Sequence, residues 1–347
     1  MYILDAISIS PQNTYEGNFS SLPIEIFEGN QYWAKEPKYK GMVPLNLLRR
    51  MSKSVRMGVG TGIPLIQKHE KMDGIIIGSA NGSIEKSISF LNQIVEYKEG
   101  TLTPTDFVQS TSNSIAGTLA LLGNVRAYNN THVNNGISFE SALLDALLLF
   151  KDSDSEKILV GGVEEISQAN YNVDSLRGMF KIDPVPSNAL YVSNSVGTVS
   201  GEGASMFVLG KKPQKNTVLE FVDVEQICYP EYTDIDHLLQ NLLKRNNIDY
   251  SDIDTLFLGY NGDKRTDHYY DAFKKDFSHA SQLVYKHLVG DYYTVSSFAM
   301  WLANEYASKK SLDDSCYLQK TEKNNGYICI YNHYEGTQHG IILLKRH

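Results

Sequence analysis

Residues 131–150 read THVNNGISFESALLDALLLF, a strand-like ending, a tight turn and a long apolar helix. A thiol at such a junction would sit at a helix N-terminus, where the dipole lowers its pKa and favours the nucleophilic thiolate. This junction instead holds Val133, Asn134, Asn135 and Gly136, and the first cysteine of the chain is Cys228. Other groups able to do chemistry lie nearby or far along the chain. Ser138 carries a hydroxyl, but it is a natural N-cap for the helix that follows, and Glu140 suits the positive end of that helix. His132 reads as a hydrogen-bonded buried histidine. His287, His333 and His339 read as polar surface, with a rebuilt acid–base pair as the bolder alternative. Lys286 and Asp291 are spaced to form an ion pair. The glutamates of GGVEEIS (161–167) and GEGA (201–204) read as hydrogen-bonding braces.

Holding such groups in place falls to the surrounding elements. Strand-like runs at 3–9, 74–77, 127–133, 157–163 and 205–209 alternate with helical patterns at 47–67, 86–97, 110–122 and 139–150. Phe139, Ala142, Leu143, Ala146, Leu147 and Phe150 share one helical face, and Leu144, Leu148 and Leu149 widen it, so this helix is expected to be central. Val133 is expected to be a buried strand residue. After the polar stretch at 211–216 the grammar repeats: strand 218–226, helix 235–246, strand 255–259, helix 292–307 and two final strands, 327–331 and 340–344. The alternation implies βαβ crossovers, an α/β fold and a duplicated core divided into 1–215 and 216–347. Ligands of such sheets bind beyond the carboxyl ends of the strands, which points to segments 133–138, 260–267 and 286–291.

Composition narrows the function classes. A net charge of −8 and a pI of about 5.6, without a Lys/Arg run, lack the electrostatic footprint of a nucleic-acid binder. The chain contains no apolar stretch long enough to span a bilayer and opens on a strand rather than a leader, so a cytoplasmic protein is expected. Cys228, Cys316 and Cys329 are far apart with no CxxC spacing, which argues against a disulfide framework or zinc. Cys329, within YICIY, reads as a small buried hydrophobe. No cofactor or metal is expected.

Several stretches together resemble the β-ketoacyl-ACP synthases of the thiolase superfamily: LLRRMSKSVRMGVG (47–60), DGIIIGSANGS (73–83), TPTDFVQSTSNSIAGTLALLG (103–123), the helix above, ILVGGVEEIS (158–167) and GEGASMFVL (201–209). The resemblance implies a thiolase-like fold of two similar halves in a five-layered αβαβα core, a homo- or heterodimer, and acyl chains delivered on a carrier protein. In that family the nucleophile occupies a C-x-x-G pattern. Gly136 matches the glycine, which sets Val133 where cysteine belongs. NGDKR puts Asn261 where the first histidine belongs, and KHLVGD keeps Lys286 and Gly290 but has Asp291 for the second histidine. NHYEGTQHG (332–340) matches the family's glycine-rich turn in part.

Condensation needs a thiolate to hold the acyl chain and imidazoles to stabilise the enolate, so these replacements imply a chain that does not condense acyl groups alone. The resemblance then points to chain-length factors, which pair with an active ketosynthase and shape the product tunnel, and among them to ketosynthase-like subunits of aryl polyene and related pigment clusters. The carrier protein would be met through the partner. Region 103–133 would lie at the dimer contact and the acyl tunnel, with Phe107, Asn113 and Thr118 as contacts beside Gly136 and Ser138. Two other readings stand beside this one: an acyltransferase or hydrolase of the same fold using Ser138 or the histidines, and a homodimeric acyl-binding scaffold.

Overall fold

A strand buried on both faces needs apolar side chains at every position, and runs such as GIII and KILVGGV meet that demand. The computed structural model describes residues 1–16, 19–309, 311–322 and 326–347. Its first half runs β1 (Tyr2–Ile9), β2 (Gln31–Tyr32), α1 (Leu45–Leu48), α2 (Lys53–His69), β3 (Gly74–Gly78), α3 (Ile84–Glu96), α4 (Pro104–Gln109), α5 (Ser114–Gly123), β4 (Tyr128–His132), α6 (Ser138–Asp152), β5 (Lys157–Glu164), α7 (Gln168–Leu176), β6 (Ser200–Gly201) and β7 (Gly203–Gly210). The second runs β8 (Leu219–Cys228), α8 (Tyr232–Asn246), β9 (Ile253–Leu258), α9 (Asp267–Phe273), β10 (Ser281–Val284), α10 (Lys286–Val289), α11 (Val295–Lys309), β11 (Tyr317–Gln319), β12 (Tyr327–Tyr334) and β13 (Gln338–Arg346).

The strand order exposes the duplication. One sheet reads β4-β3-β5-β7-β1 and the other β10-β9-β12-β13-β8, with β11 added at its end. Orientations match pair for pair: β3–β4, β3–β5, β9–β10 and β9–β12 are parallel, while β1–β7, β5–β7, β8–β13 and β12–β13 are antiparallel. The two join edge to edge at Tyr2–Glu220, where Met1 and Phe221 exchange backbone hydrogen bonds. Alternate residues of each strand enter different cores. Ile158 and Val160 of β5 and Ile342 and Leu344 of β13 face the middle core with α6 and α11. Leu159 and Val163 meet α2 and α5, and Ile341 and Leu343 meet the helices of the second half. The layers are therefore α2/α5, sheet, α6/α11, sheet, α8/α9, the five-layered arrangement expected.

Several boundaries differ from the sequence pattern. The helix expected at 47–67 is two, because Ser52 interrupts it and caps α2 by accepting from the Val55 amide at 3.2 Å. The one expected at 110–122 begins at Ser114, with α4 separate before it. The last two strands are longer than expected and meet in a tight hairpin, where Glu335 (φ 52°) and Gly336 (φ 65°) take the left-handed conformation. The predicted core face of α6 is correct at Phe139, Ala142, Leu143, Ala146 and Phe150, whereas Leu148 is exposed. Leu143 is fully buried between the sheets. Leu143→Ala should lower unfolding stability by about 2–5 kcal/mol in urea titration, with little change in slope.

Candidate functional site

The strand–turn–helix junction forms as the sequence suggests, but its side chains sit differently. β4 ends at His132, and Val133 lies beyond it at 45% exposure, not buried in a strand. Asn135 adopts φ 50°, a conformation asparagine tolerates. Gly136 is required for another reason: a Cβ there would collide with Cβ of Tyr334, and its amide donates to Gln338 Oε1 at 2.8 Å. Ser138 is not the N-cap. It is the first helical residue, and its buried hydroxyl accepts from the Asn134 amide (2.9 Å) and donates to the Asn135 carbonyl (2.7 Å). That hydroxyl serves the turn and has no base beside it among its hydrogen-bond partners.

The positions named in the second half do come together. Asn261 Nδ2 donates to Asp291 Oδ2 at 2.8 Å, and Lys286 Nζ lies 2.8 Å from Asp291 Oδ1. The Lys286 side chain is wholly buried and that of Asp291 nearly so. Backbone crossing positions the aspartate: Gly290 (φ 76°) passes so close to Gly201 that a Cβ would lie 2.7 Å from its Cα. The Asp291 amide then donates to Val199 O (2.8 Å), and its carbonyl accepts from Gly201 N (2.9 Å). The result is a buried cluster in which carboxylate and ammonium lie in ionic contact and offset each other's burial, although Lys286 Nζ and Asp291 Oδ1 make no hydrogen bond of good geometry.

Two adjoining clefts open in front of this cluster, sharing Met179, Thr198, Asp291 and Tyr334. The outer, of about 210 Å³, is flanked by the ion pairs Arg265–Asp263 and Arg177–Glu335. The inner, of about 60 Å³, is lined by acids and aromatic rings, Glu164 and Glu165 among them. Neither is lined by a cysteine or a histidine. Of the three segments expected to converge, 260–267 and 286–291 meet directly. Segment 133–138 reaches the site only through Tyr334, which backs onto Gly136 and faces both clefts. Sequence reasoning did not single out Tyr334; the match of NHYEGTQHG to a glycine-rich turn was its one available signal.

The braces are as expected. Glu165 accepts from Ser54 N (2.8 Å), and Glu202 accepts from Ala34 N (2.8 Å) and Ile166 N (2.9 Å). The histidines require correction. His287, His333 and His339 are buried, not polar surface. His333 accepts from Gly336 N at 3.3 Å and lies 3.2 Å from the Thr266 carbonyl, and His339 bridges Tyr331 OH (2.9 Å) and Gly336 O (3.0 Å), so both brace the hairpin turn. Desolvation pushes His287 and His339 down to about 4 and His333 well below the usual value, a poor basis for acid–base work near neutrality. His132 is hydrogen-bonded as expected, to Asp145 at 2.7 Å, but only half-buried. Glu140 lies in the first turn of α6 as expected, where it is buried, and desolvation raises its carboxyl to about 7. Phe107 is 58% exposed on α4, Asn113 is exposed and accepts from Thr131 Oγ1 at 2.7 Å, and Thr118 is half-buried on α5. None of the three lines either cleft. Cys228 is exposed, Cys316 and Cys329 are buried, and all three are free thiols.

Residues 27–206, more than half the chain, match the family described as "Beta-ketoacyl synthase, N-terminal domain". This chain belongs to the β-ketoacyl synthase family. Among curated proteins no sequence matches it. Solved structures similar to it include the ishigamide ketosynthase/chain length factor (TM-score 0.81, 12% identity, covering 100% of this chain and 98% of that one). A β-ketoacyl synthase from Burkholderia phymatum STM815 is similar at TM-score 0.78 and 15% identity, covering 100% and 99%. The ketosynthase ApeO in complex with its chain length factor ApeC from Xenorhabdus doucetiae is similar at TM-score 0.73 and 13% identity, covering 100% and 98%. These likenesses establish the thiolase-like fold. Among the described residues no helix is long and apolar enough to cross a membrane.

Within this ketosynthase-like site the aspartate should be structural. Asp291→Ala leaves an unpaired buried ammonium and should cost about 3–5 kcal/mol, whereas the double variant Lys286→Met/Asp291→Leu should cost less than Asp291→Ala alone, measured by denaturant unfolding. The buried histidines should also set an acid limit. Their folded-state pKa values lie below the ordinary 6.5, so their contribution is complete above about 6.5 and is lost as pH falls towards 4. The melting temperature should fall over that range, and His287→Leu should flatten part of the fall.

Proposed function

We propose that this chain is a non-condensing ketosynthase-like subunit that pairs with an active β-ketoacyl-ACP synthase and shapes the tunnel in which its product grows, as a chain-length factor does. Its setting would be fatty-acid or polyketide-type biosynthesis of the kind that makes aryl polyene pigments, with the acyl carrier protein met through the partner. One observation carries this reading: Val133, at the nucleophile position, is exposed at the end of a sheet edge. β4 pairs with β3 on one side only among the described residues, which leaves a row of unpaired backbone groups. Exposed apolar side chains stand on that edge and on the adjoining α5, including Leu121 (80%), Tyr128 (41%) and Val133. An edge of this kind calls for a covering partner. Phe107, Asn113 and Thr118 would meet that partner or its acyl chain, with Gly136 and Ser138 shaping the junction behind them.

The lost chemistry supports the same reading. The junction has no thiol, the hydroxyl of Ser138 is committed to its own turn, and Asp291 presents a carboxylate where an enolate would need stabilising. The hydrolase alternative gains no support from Ser138, whose hydroxyl has no base among its hydrogen-bond partners. A homodimeric scaffold would use the same edge, and the test separates the two. Co-expressed with a cysteine-containing ketosynthase encoded beside it, the chain should co-elute as a 1:1 complex. Leu121→Asp/Val133→Asp should weaken that complex at least roughly tenfold, about 1.4 kcal/mol, without unfolding the chain. A homodimer that persists with the ketosynthase present would overturn the heterodimer, and a covalent acyl adduct on this chain after incubation with acyl-ACP would overturn the non-condensing role.

A further inference from the structure

The inner cleft has a lining of uniform charge type. Its walls carry four carboxyls, Glu164, Glu165, Asp174 and Asp291, and no Lys, Arg or His. Two of the four already have cations: Asp174 pairs with Arg177 at 3.1 Å and Asp291 with Lys286 at 2.8 Å. The other two do not. Glu164 is 1% exposed, with one oxygen held by the Ala80 amide and the Asn81 amide and Ser79 hydroxyl beside the carboxyl, while Oε2 makes no hydrogen bond of good geometry. Glu165 is 6% exposed, with Oε2 held by the Ser54 amide and Oε1 lacking a partner. A buried carboxyl oxygen without a partner is costly, and two lining one cleft ask for a donor from outside.

The remaining wall is aromatic. Tyr171 stacks on Phe180 with centroids 4.7 Å apart, and Tyr293 packs against Tyr334 at 4.5 Å. All four rings line the cleft. Aromatic faces attract cations, and organic ammonium ions are held by aromatic walls with acids between them. A metal ion fits less well: no group of three His, Cys, Asp or Glu is arranged to hold one among the described residues. We infer that the inner cleft binds a small alkylammonium ion, with its nitrogen between Glu164 and Glu165 and its alkyl part against the tyrosine rings. Desolvation raises these carboxyls to about 8 and about 7, so near neutral pH both are partly protonated in the empty cleft and would ionise opposite the incoming cation. The inference goes beyond the partner-subunit reading and does not depend on it. The cleft would then serve as a sensor for an amine, whether an amino-acid-derived amine or a polyamine.

Isothermal titration of the full chain tests this with propylammonium chloride as the probe, and 1-propanol, sodium propionate and potassium chloride as matched controls. The expected result is saturable one-to-one binding of propylammonium, no binding of the alcohol or the anion, and at least a tenfold weakening in Glu164→Gln and in Glu165→Gln. Titrations with ethanolamine and putrescine then distinguish the two sources. Equal binding of propanol, full competition by equimolar potassium, or unchanged affinity in both variants would overturn the assignment. If the variants do not fold, saturation transfer from tyrosine ring protons to propylammonium in the unaltered chain decides: transfer that propanol does not show supports the site, and its absence overturns it. Co-elution with a ketosynthase is scored separately, so either idea can fail without the other.

Discussion

The structure depends on one demand: two sheets must share a single helical layer. Residues Val295–Ala303 at the start of α11 are buried, and the helix touches strands of both sheets. α6 lies beside it with Phe139, Leu143 and Phe150 in the same core. Neither sheet can bury its inner face without these helices, and neither helix is covered without both sheets. The chain segments entering the two helices are therefore held from both sides. Gly136 is set against Tyr334 before α6, and Gly290 against Gly201 before α11. Change at these entrances is tolerated only where the backbone crossings survive.

That constraint also fixes the buried cluster beside the second entrance. Lys286 is fully buried, and the Asp291 carboxylate lies 2.8 Å from its ammonium. The Asp291 carboxylate faces that ammonium and receives the Asn261 amide as well. The three side chains form one electrostatic unit, more self-contained than an imidazole poised to meet a substrate. Similar economy holds at the hairpin, where His333 and His339 spend their ring nitrogens on backbone groups and Tyr331. Functional groups survive here as braces.

The outer side of α6 has the opposite character. β4 is a polar edge strand whose alternate side chains serve two helices: Asn129 and Thr131 reach Asn113 of α5, while Asn130 and His132 reach Asp145 of α6. Beyond its end stands Val133, an apolar side chain left in solvent. The contrast between a sealed interior cluster and an open apolar edge is the main asymmetry of the molecule. It sets exposed apolar surface in the first half apart from an acid-lined cleft between the halves.

Local and periodic features were legible in the sequence. The apolar runs identified β3 and β5, the helical spacing identified the buried face of α6, and the repeated grammar announced the second half. Asn261, Lys286 and Asp291 were named from motif positions alone and do meet, because short motifs at strand ends carry their own backbone geometry. Other features were decided by contacts distant in sequence. Ser138 has the residue type of an N-cap, yet the turn before it claims its hydroxyl. Val133 has the composition of a buried strand residue, yet β4 lies at the sheet edge and ends before it. The burial of His287, His333 and His339, and of Glu140, depends on how the hairpin and the second sheet close over the central helices. Which residues the chain can bury follows from periodicity along it. Which polar groups end up paired, neutral or waiting for a ligand depends on neighbours brought in from elsewhere, and burial free energy is set by that surrounding dielectric and not by residue type.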